Sequence, residues 1–275
     1  NSAFGTTSLS SNITGNSNSA FGVASLRYNT TGSDNSAFGH QSLSNNTTGY
    51  QNTALGFSSL YPNTTGNLNT AKGYFSLYGN TIGFSNTSMG FGSLRFNTEG
   101  HENTAVGMNS LYTNTTGNNN TAIGYDAQVP SGTANNQVRI GNTAVTNAYI
   151  QVPWTVTSDG RVKTNILYSS LGLSFISLLR PVSYTRINDE NQKTEYGFIA
   201  QEVEEVLKDN CIDNTGMISI DDEGTYSMRY NDLIAPMVKA IQELNEENQK
   251  LKSNNEELEK RLAKYEELQS KLTSR

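Results

Sequence analysis

A five-residue motif, Asn-[Ser/Thr]-Ala-x-Gly, recurs every 17 residues through the first half of the chain. In each of the first seven copies a Leu follows eight residues after the start, and a Gly follows fourteen residues after it. Three signals held in one register without an insertion predict a repeat architecture. The eight copies begin at Asn1, Asn18, Asn35, Asn52, Asn69, Asn86 (with Ser88 in place of Ala), Asn103 and Asn120.

Each 17-residue unit has only two small apolar spots, the Ala-x of the motif and a Ser-Leu pair that Tyr or Phe often follows. The Asn-Thr-Thr-Gly tracts between them favour turns, because Asn tolerates the left-handed region and Gly adopts it freely. We therefore expect two short strands and two turns in each unit. Such a unit cannot bury its own apolar side, so the units must stack as coils of a β-solenoid. Association of several rods would bury the second apolar stripe.

A disordered, low-complexity tract is the alternative reading of a segment so rich in Asn, Thr and Gly. Apolar residues that return at fixed positions in every copy argue against it. Before Asp126 the chain has only three acidic residues, which are Asp34, Glu99 and Glu102. That number makes glycoside hydrolysis by paired carboxylates an unfavoured function for residues 1–125.

The Ser/Thr-Ala-x-Gly units resemble the head repeats of trimeric autotransporter adhesins, and the 17-residue version is similar to arrays in tail-fibre-like proteins. This resemblance implies a left-handed parallel β-roll packed as a trimer. It covers residues 1–125, which we expect to be the head or shaft of a fibre.

After Tyr125 the repeat fades into a predicted β-rich neck, residues 126–157. Val138–Gly141 and Ala148–Val152 alternate as two short strands. A polar segment follows, Thr157-Ser158-Asp159-Gly160-Arg161-Val162-Lys163-Thr164-Asn165. A Ser and a Lys at this spacing can act as nucleophile and general base if burial lowers the pKa of the amine, although most such pairs in loops are simply solvated.

Three further motifs follow in order: Leu-Arg-Pro-Val-Ser-Tyr from Leu179, Tyr-Gly-Phe-Ile-Ala-Gln-Glu from Tyr196, and Tyr-Asn-Asp-Leu from Tyr230. With Ser-Asp-x-Arg-x-Lys-x-Asn-Ile they resemble the intramolecular chaperone domain of the S74 peptidase family, found at the ends of phage tail spikes and fibres of the endosialidase type. A related version occurs in a membrane-bound eukaryotic transcription factor. Glu202, in the second of these motifs, is expected to be a helix-surface carboxylate.

The resemblance implies a trimeric chaperone that assembles the preceding fibre and then cuts itself off between Thr157 and Ser158. By the same resemblance, Ser158 is the nucleophile and Lys163 its general base. Asp159, Arg161 and Asn165 match motif positions and are expected to support the loop or to pair with a neighbouring subunit.

Residues 233–275 are predicted to form a coiled coil, because apolar and Asn residues alternate at spacings of three and four. One heptad position holds Ile241, Asn248, Asn255, Leu262 and Gln269, and the other holds Leu244, Leu251, Leu258, Tyr265 and Leu272. A solvated single helix is the alternative. The heptads do not choose between two and three strands.

Composition narrows the partners. A net charge of -6 and a pI near 5.0 disfavour nucleic acid. The chain has no apolar run long enough to span a bilayer, and its single Cys211 makes neither a disulfide nor a zinc site alone. No cofactor or metal is predicted. Because Asn1 already stands in register with the repeats, we expect the chain to be part of a longer protein.

The sequence thus predicts a mainly β protein with an α-helical C-terminus: repeats at 1–125, neck at 126–157, an α+β chaperone at 158–232 and a coiled coil from 233. The expected function is a homotrimeric surface or tail fibre that attaches to a host or prey cell, by way of a receptor that could be a glycan, and that cleaves itself. A trimeric adhesin with a retained, silent chaperone is the alternative. A glycan-degrading spike with its enzyme upstream and a relative of the transcription factor are weaker ones.

Overall fold

The computed structural model describes residues 1–187, 189, 191–213 and 215–273, of which residues 272 and 273 are described by their backbone alone. Residues 274–275 of the predicted coiled coil lie outside the described residues. The chain divides into two compact units. The first comprises residues 1–149 with 221–224, and the second comprises the rest of the described chain.

The first unit is a parallel β-solenoid whose nine strands form one sheet in sequence order. Each strand pairs with the residues 17 positions later, as Ala20 does with Ala37. The predicted period is therefore the coil of the fold. The strands are β1 (Ser2–Phe4), β2 (Ser19–Phe21), β3 (Ser36–Phe38), β4 (Thr53–Leu55), β5 (Thr70–Lys72), β6 (Thr87–Met89), β7 (Thr104–Val106), β8 (Thr121–Ile123) and β9 (Val138–Ile140).

The solenoid core consists of two columns of small and medium apolar side chains. From the second coil onward, the Ala of each strand and the Leu of each Ser-Leu pair are fully buried, as Ala54 and Leu60 are in the fourth coil. Ser88 replaces Ala in the sixth coil, and its hydroxyl donates to the Ser93 carbonyl at 2.8 Å. A core this thin buries little apolar area per residue, so polar side chains must contribute to the cohesion of the coils.

Two ladders of buried Asn supply that cohesion. The Asn that opens each motif accepts a hydrogen bond from the backbone N–H of the next such Asn, as Asn35 Oδ1 does from Asn52 N at 3.0 Å. The Asn of the turn donates to its counterpart one coil earlier, as Asn63 does to Asn46 at 2.8 Å. Buried amides that are paired in this way avoid the cost of an unmade hydrogen bond.

The expectation of two strands per unit is wrong, because each coil has one strand of three residues. The Ser-Leu segment is a turn in which the Leu backbone is left-handed, with φ of 53° at Leu60 and similar values in the other coils. Its N–H still bonds to the next coil, from Leu60 N to Ser76 O at 3.0 Å. The left-handed residue lets 17 residues close one coil while the Leu side chain stays in the core.

Along the outer face of the sheet runs an apolar column, which we call the outer column. It consists of the residue that follows the buried Ala in each strand: Phe4, Phe21, Phe38, Leu55, Lys72, Met89, Val106 and Ile123. Lys72 is its only charged member. Phe21 and Phe38 stack with ring centroids 5.0 Å apart. Most of these side chains stay substantially exposed in the single chain.

The sheet continues past Tyr125 into the predicted neck. Strand β9 pairs with β8, and Gln137 N donates to Asn120 Oδ1 at 3.0 Å, which extends the Asn ladder by one coil. The second neck strand, predicted at Ala148–Val152, is wrong, since these residues are exposed and form no strand. They pair with no other segment of the described chain.

The second unit is small and mixed. Helix α1 (Leu173–Ile176) is followed by the hairpin β10 (Val182–Tyr184) and β11 (Glu195–Gly197), helix α2 (Ala200–Asp209) and the hairpin β12 (Ile218–Ile220) and β13 (Tyr226–Met228). A 3₁₀ turn at Tyr230–Leu233 leads into helix α3 (Ile234–Thr273). Phe175, Val203, Leu207, Met217 and Leu233 form the core.

Helix α3 is 40 residues long, and its N-terminal part packs against α1. Beyond that part, both heptad stripes are exposed, including Leu251, Leu258 and Leu262. The side chain of Leu272 lies outside the described residues. No helix among the described residues is long and apolar enough to cross a membrane. The left-handed turn of the roll, the trimer and the coiled-coil pairing remain predictions.

Candidate functional site

The two predicted catalytic side chains meet in space. Lys163 Nζ donates a hydrogen bond to Ser158 Oγ at 2.7 Å. A 3₁₀ turn at Gly160–Val162 makes this contact possible, because it folds five residues back on themselves. Lys163 N closes the turn by donating to Gly160 O at 3.2 Å.

Asp159 and Arg161 hold the same turn. The Asp159 carboxylate caps its N-terminus by accepting from Arg161 N at 2.9 Å, and it also pairs with the Arg161 guanidinium at 2.5 Å. The guanidinium bonds, and then the backbone bond, hold the pKa of Asp159 below its usual range. The same carboxylate raises the pKa of Arg161. Asn165, two residues after Lys163, has a left-handed backbone with φ of 52°, which Asn tolerates.

The pair is exposed in the single chain. Thr157, Ser158 and Lys163 all lie at the surface, so the burial expected around a lysine base is not provided by one chain alone. The large apolar residues on either side of the pair are exposed as well. Trp154 is 73% exposed and Ile166 is 71% exposed, and Leu167 and Tyr168 are more so. A folded chain seldom leaves so many adjacent apolar side chains in water without a partner for them.

Two contacts link the other three motifs to each other. The Arg180 guanidinium forms a two-pronged ion pair with the Glu202 carboxylate, and Tyr230 Oη accepts a hydrogen bond from Phe198 N at 3.1 Å. Glu202 is thus a surface carboxylate with a structural partner, and Arg180 lowers its pKa. Sequence reasoning did not find either contact. The only sequence signal was that the motifs recur in a fixed order.

The same motifs line a shallow, mainly apolar cleft of about 490 Å³. Neither Ser158 nor Lys163 is part of its lining. The lining residues are Pro181, Val182, Ser183, Tyr196, Gly197, Phe198 and Tyr230.

Comparison with known families now bears on this geometry. Residues 158–212 match the family model Peptidase_S74, described as the chaperone of endosialidase. The predicted resemblance is confirmed. The match covers about a fifth of the chain, begins at Ser158 and includes Lys163, Arg180 and Glu202. Searches of curated proteins and of solved structures gave no match. A parallel solenoid with 17-residue coils therefore precedes a chaperone-of-endosialidase segment, which suggests a fibre or spike protein with an intramolecular chaperone.

Proposed function

We propose that this chain is the C-terminal part of a homotrimeric tail or surface fibre, whose chaperone cleaves the Thr157–Ser158 bond after assembly. The observation that carries the proposal is the 2.7 Å contact between Ser158 Oγ and Lys163 Nζ, at the residue where the family match begins. The solenoid is the part that persists and attaches to a cell, as a virion tail fibre or on a bacterial surface.

The cleavage needs only residues of this chain and water. Neutral Lys163 takes the proton of Ser158 Oγ, which adds to the carbonyl carbon of Thr157. The bond from that carbon to the Ser158 nitrogen breaks, and the nitrogen receives the proton from Lys163 to leave as an amine. Water then hydrolyses the resulting ester, which frees the Thr157 carboxylate and restores the Ser158 hydroxyl. A nucleophile adjacent to its own target bond needs no substrate pocket, only correct placement.

Assembly is what supplies the missing burial. A general base must be neutral, and in water Lys163 donates to Ser158 where the reaction needs it to accept. Partner chains that cover Trp154, Ile166 and Leu167 would remove water from the pair and allow the exchange. Cleavage would then report a completed trimer, and loss of the chaperone would leave a fibre that unfolds slowly.

The apolar stripes indicate a second copy as the partner. The outer column repeats with the coil spacing of the sheet. A parallel second rod has the same spacing and meets the column side chain by side chain, whereas an unrelated surface does not. The exposed heptad stripes of α3 favour the same kind of partner at the other end of the chain.

Intact mass spectrometry of the refolded chain tests the proposal. The wild type is expected to yield a fragment that begins at Ser158, and Ser158→Ala and Lys163→Met are each expected to abolish it. Lys193→Met, at another exposed lysine of the same unit, is the control and should cleave normally. A Ser158→Ala chain that still produces the fragment would contradict the assigned nucleophile.

A retained chaperone that never cuts is the second candidate, and the exposure of Ser158 and Lys163 favours it. It predicts a stable trimer of intact chains after prolonged incubation. Under that outcome the attachment role would stand and the protease role would fall.

A further inference from the structure

One coil of the solenoid departs from the pattern of the others at a single surface notch. At the second residue after the motif Gly, the fifth coil has Phe75, the sixth has Gly92 and the seventh has Asn109. Gly92 leaves a gap in this row of side chains. A Cβ placed on Gly92 would lie 2.7 Å from Asn109 Oδ1 and 3.6 Å from the ring of Tyr112.

The Arg95 side chain lies over this gap among aromatic rings. Its guanidinium carbon is 4.8 Å from the centre of the Phe75 ring, 5.8 Å from that of Phe96 and 5.9 Å from that of Tyr112. Phe96 and Tyr112 meet edge to face, with their centroids 4.8 Å apart. The notch therefore combines one cation with three aromatic rings, all within reach of solvent.

Two polar atoms in the notch have no hydrogen-bond partner. Arg95 Nε, a donor, and Asn109 Oδ1, an acceptor, are both buried and unpaired within the described residues. None of the ion pairs of the described chain includes Arg95. An unpaired guanidinium that is half removed from water is costly, and a carboxylate is the group whose geometry matches it best.

We propose that this notch binds a carboxylate-bearing sugar, such as a uronic acid residue of a polysaccharide. The ligand carboxylate pairs with the guanidinium of Arg95, a ring hydroxyl donates to Asn109 Oδ1, and the apolar face of the sugar packs on Phe96 or Tyr112. Sites of this kind commonly combine aromatic walls with a few polar groups that fix orientation. The inference extends the attachment role proposed above and is independent of the Ser158–Lys163 chemistry.

Arg27 provides a matched control. It occupies the same position of its coil as Arg95 and lies 4.9 Å from the centre of the Tyr28 ring. Its coil has Ala24 where the sixth has Gly92, so it has a cation and a ring but no notch.

The test is isothermal titration of the whole chain with trigalacturonic acid, with maltotriose as the neutral probe. The acidic trisaccharide is expected to bind, and maltotriose to bind at least about tenfold more weakly. Arg95→Ala should weaken trigalacturonic acid binding about tenfold or more, because a charge-assisted contact is lost. Arg95→Met, which keeps the apolar stem over Phe75, should behave alike, and Arg27→Ala should stay within about twofold of the wild type.

Three outcomes would overturn the proposal: no binding of trigalacturonic acid, equal binding of both probes, or equal loss in the Arg27 and Arg95 variants. The last would indicate unspecific attraction to positive charge. The mass of the same samples reports trimer formation and cleavage separately. A chain that assembles and cleaves but does not bind the probe refutes the notch alone.

Discussion

At the scale of single residues, the motif Gly is the strictest position in the solenoid. In the fourth coil Gly56 has φ of 138°, a region that side chains rarely adopt, and a Cβ there would lie 2.5 Å from the carbonyl oxygen of Gly73 in the next coil. Backbone conformation and coil spacing both exclude a larger residue. The same two constraints act on every interior copy of the motif Gly as far as Gly107.

Gly56→Ala is therefore expected to destabilise the solenoid by about 2 kcal/mol or more, since it adds backbone strain to a steric overlap. Thr53→Ala, at an exposed strand position of the same coil, is the control and should change stability by less than about 0.5 kcal/mol. Thermal unfolding followed by far-UV circular dichroism measures both. Equal midpoints for the two variants would show that the coils can separate at no cost.

At the scale of elements, the period could be predicted because it is written directly in the sequence. The strand pairing every 17 residues needs no more than that. The turn at each Ser-Leu could not be predicted, because Leu has no local preference for the left-handed backbone that Leu60 and its counterparts adopt. Closure of the coil and burial of the side chain impose it, and both are tertiary effects.

The candidate site divides in the same way. The spacing of Ser158 and Lys163 suggested a pair, and the cap formed by Asp159 shows how a short turn closes it. The ion pair between Arg180 and Glu202 joins residues 22 positions apart, for which a single sequence gives no distance information. The predicted strand at Ala148–Val152 failed because alternation alone does not provide a neighbouring strand.

The Arg180–Glu202 pair ties the segment before β10 to helix α2 and gives this unit a pH dependence. The pKa of Glu202 is lower in the folded state than its ordinary value of 4.5, chiefly because of the hydrogen bonds from Arg180. The pair therefore adds stability above about pH 4.5, and that stability is lost as the pH falls through the folded pKa.

Glu202→Gln is expected to lower the unfolding midpoint at pH 6 and to lose less of it than the wild type between pH 6 and pH 3. The effect is small because the pair is exposed to solvent. Glu205→Gln, on the same helix, is the control. Unfolding in urea followed by circular dichroism at the helix band gives the midpoints. A Glu202→Gln chain with the wild-type pH profile would show that the pair contributes nothing.

At the scale of the whole molecule, three regions share one property. The outer column, the residues around Ser158 and the heptad stripes of α3 all expose apolar side chains that one chain does not cover. A single interaction, with further copies of the chain, would cover all three. It would also place the only candidate chemistry where assembly controls it.

This coupling leads to a prediction about α3. Leu251→Glu combined with Leu258→Glu puts charges on the exposed heptad stripe, so it should prevent trimer formation and, with it, cleavage at Thr157–Ser158. Ser253→Glu, between them in sequence and on another face of the helix, is the control and should leave both intact. Mass photometry reads the assembly state, and intact mass reads the cleavage.

The two readouts separate the possible relations between assembly and chemistry. A double variant that is monomeric and uncut supports a site completed by partner chains. A double variant that is monomeric yet cut at the wild-type rate would show that a single chain positions Ser158 and Lys163 on its own. A wild-type chain that is monomeric at micromolar concentration would remove the trimer itself, because the exposed stripes would then have no copy to cover them.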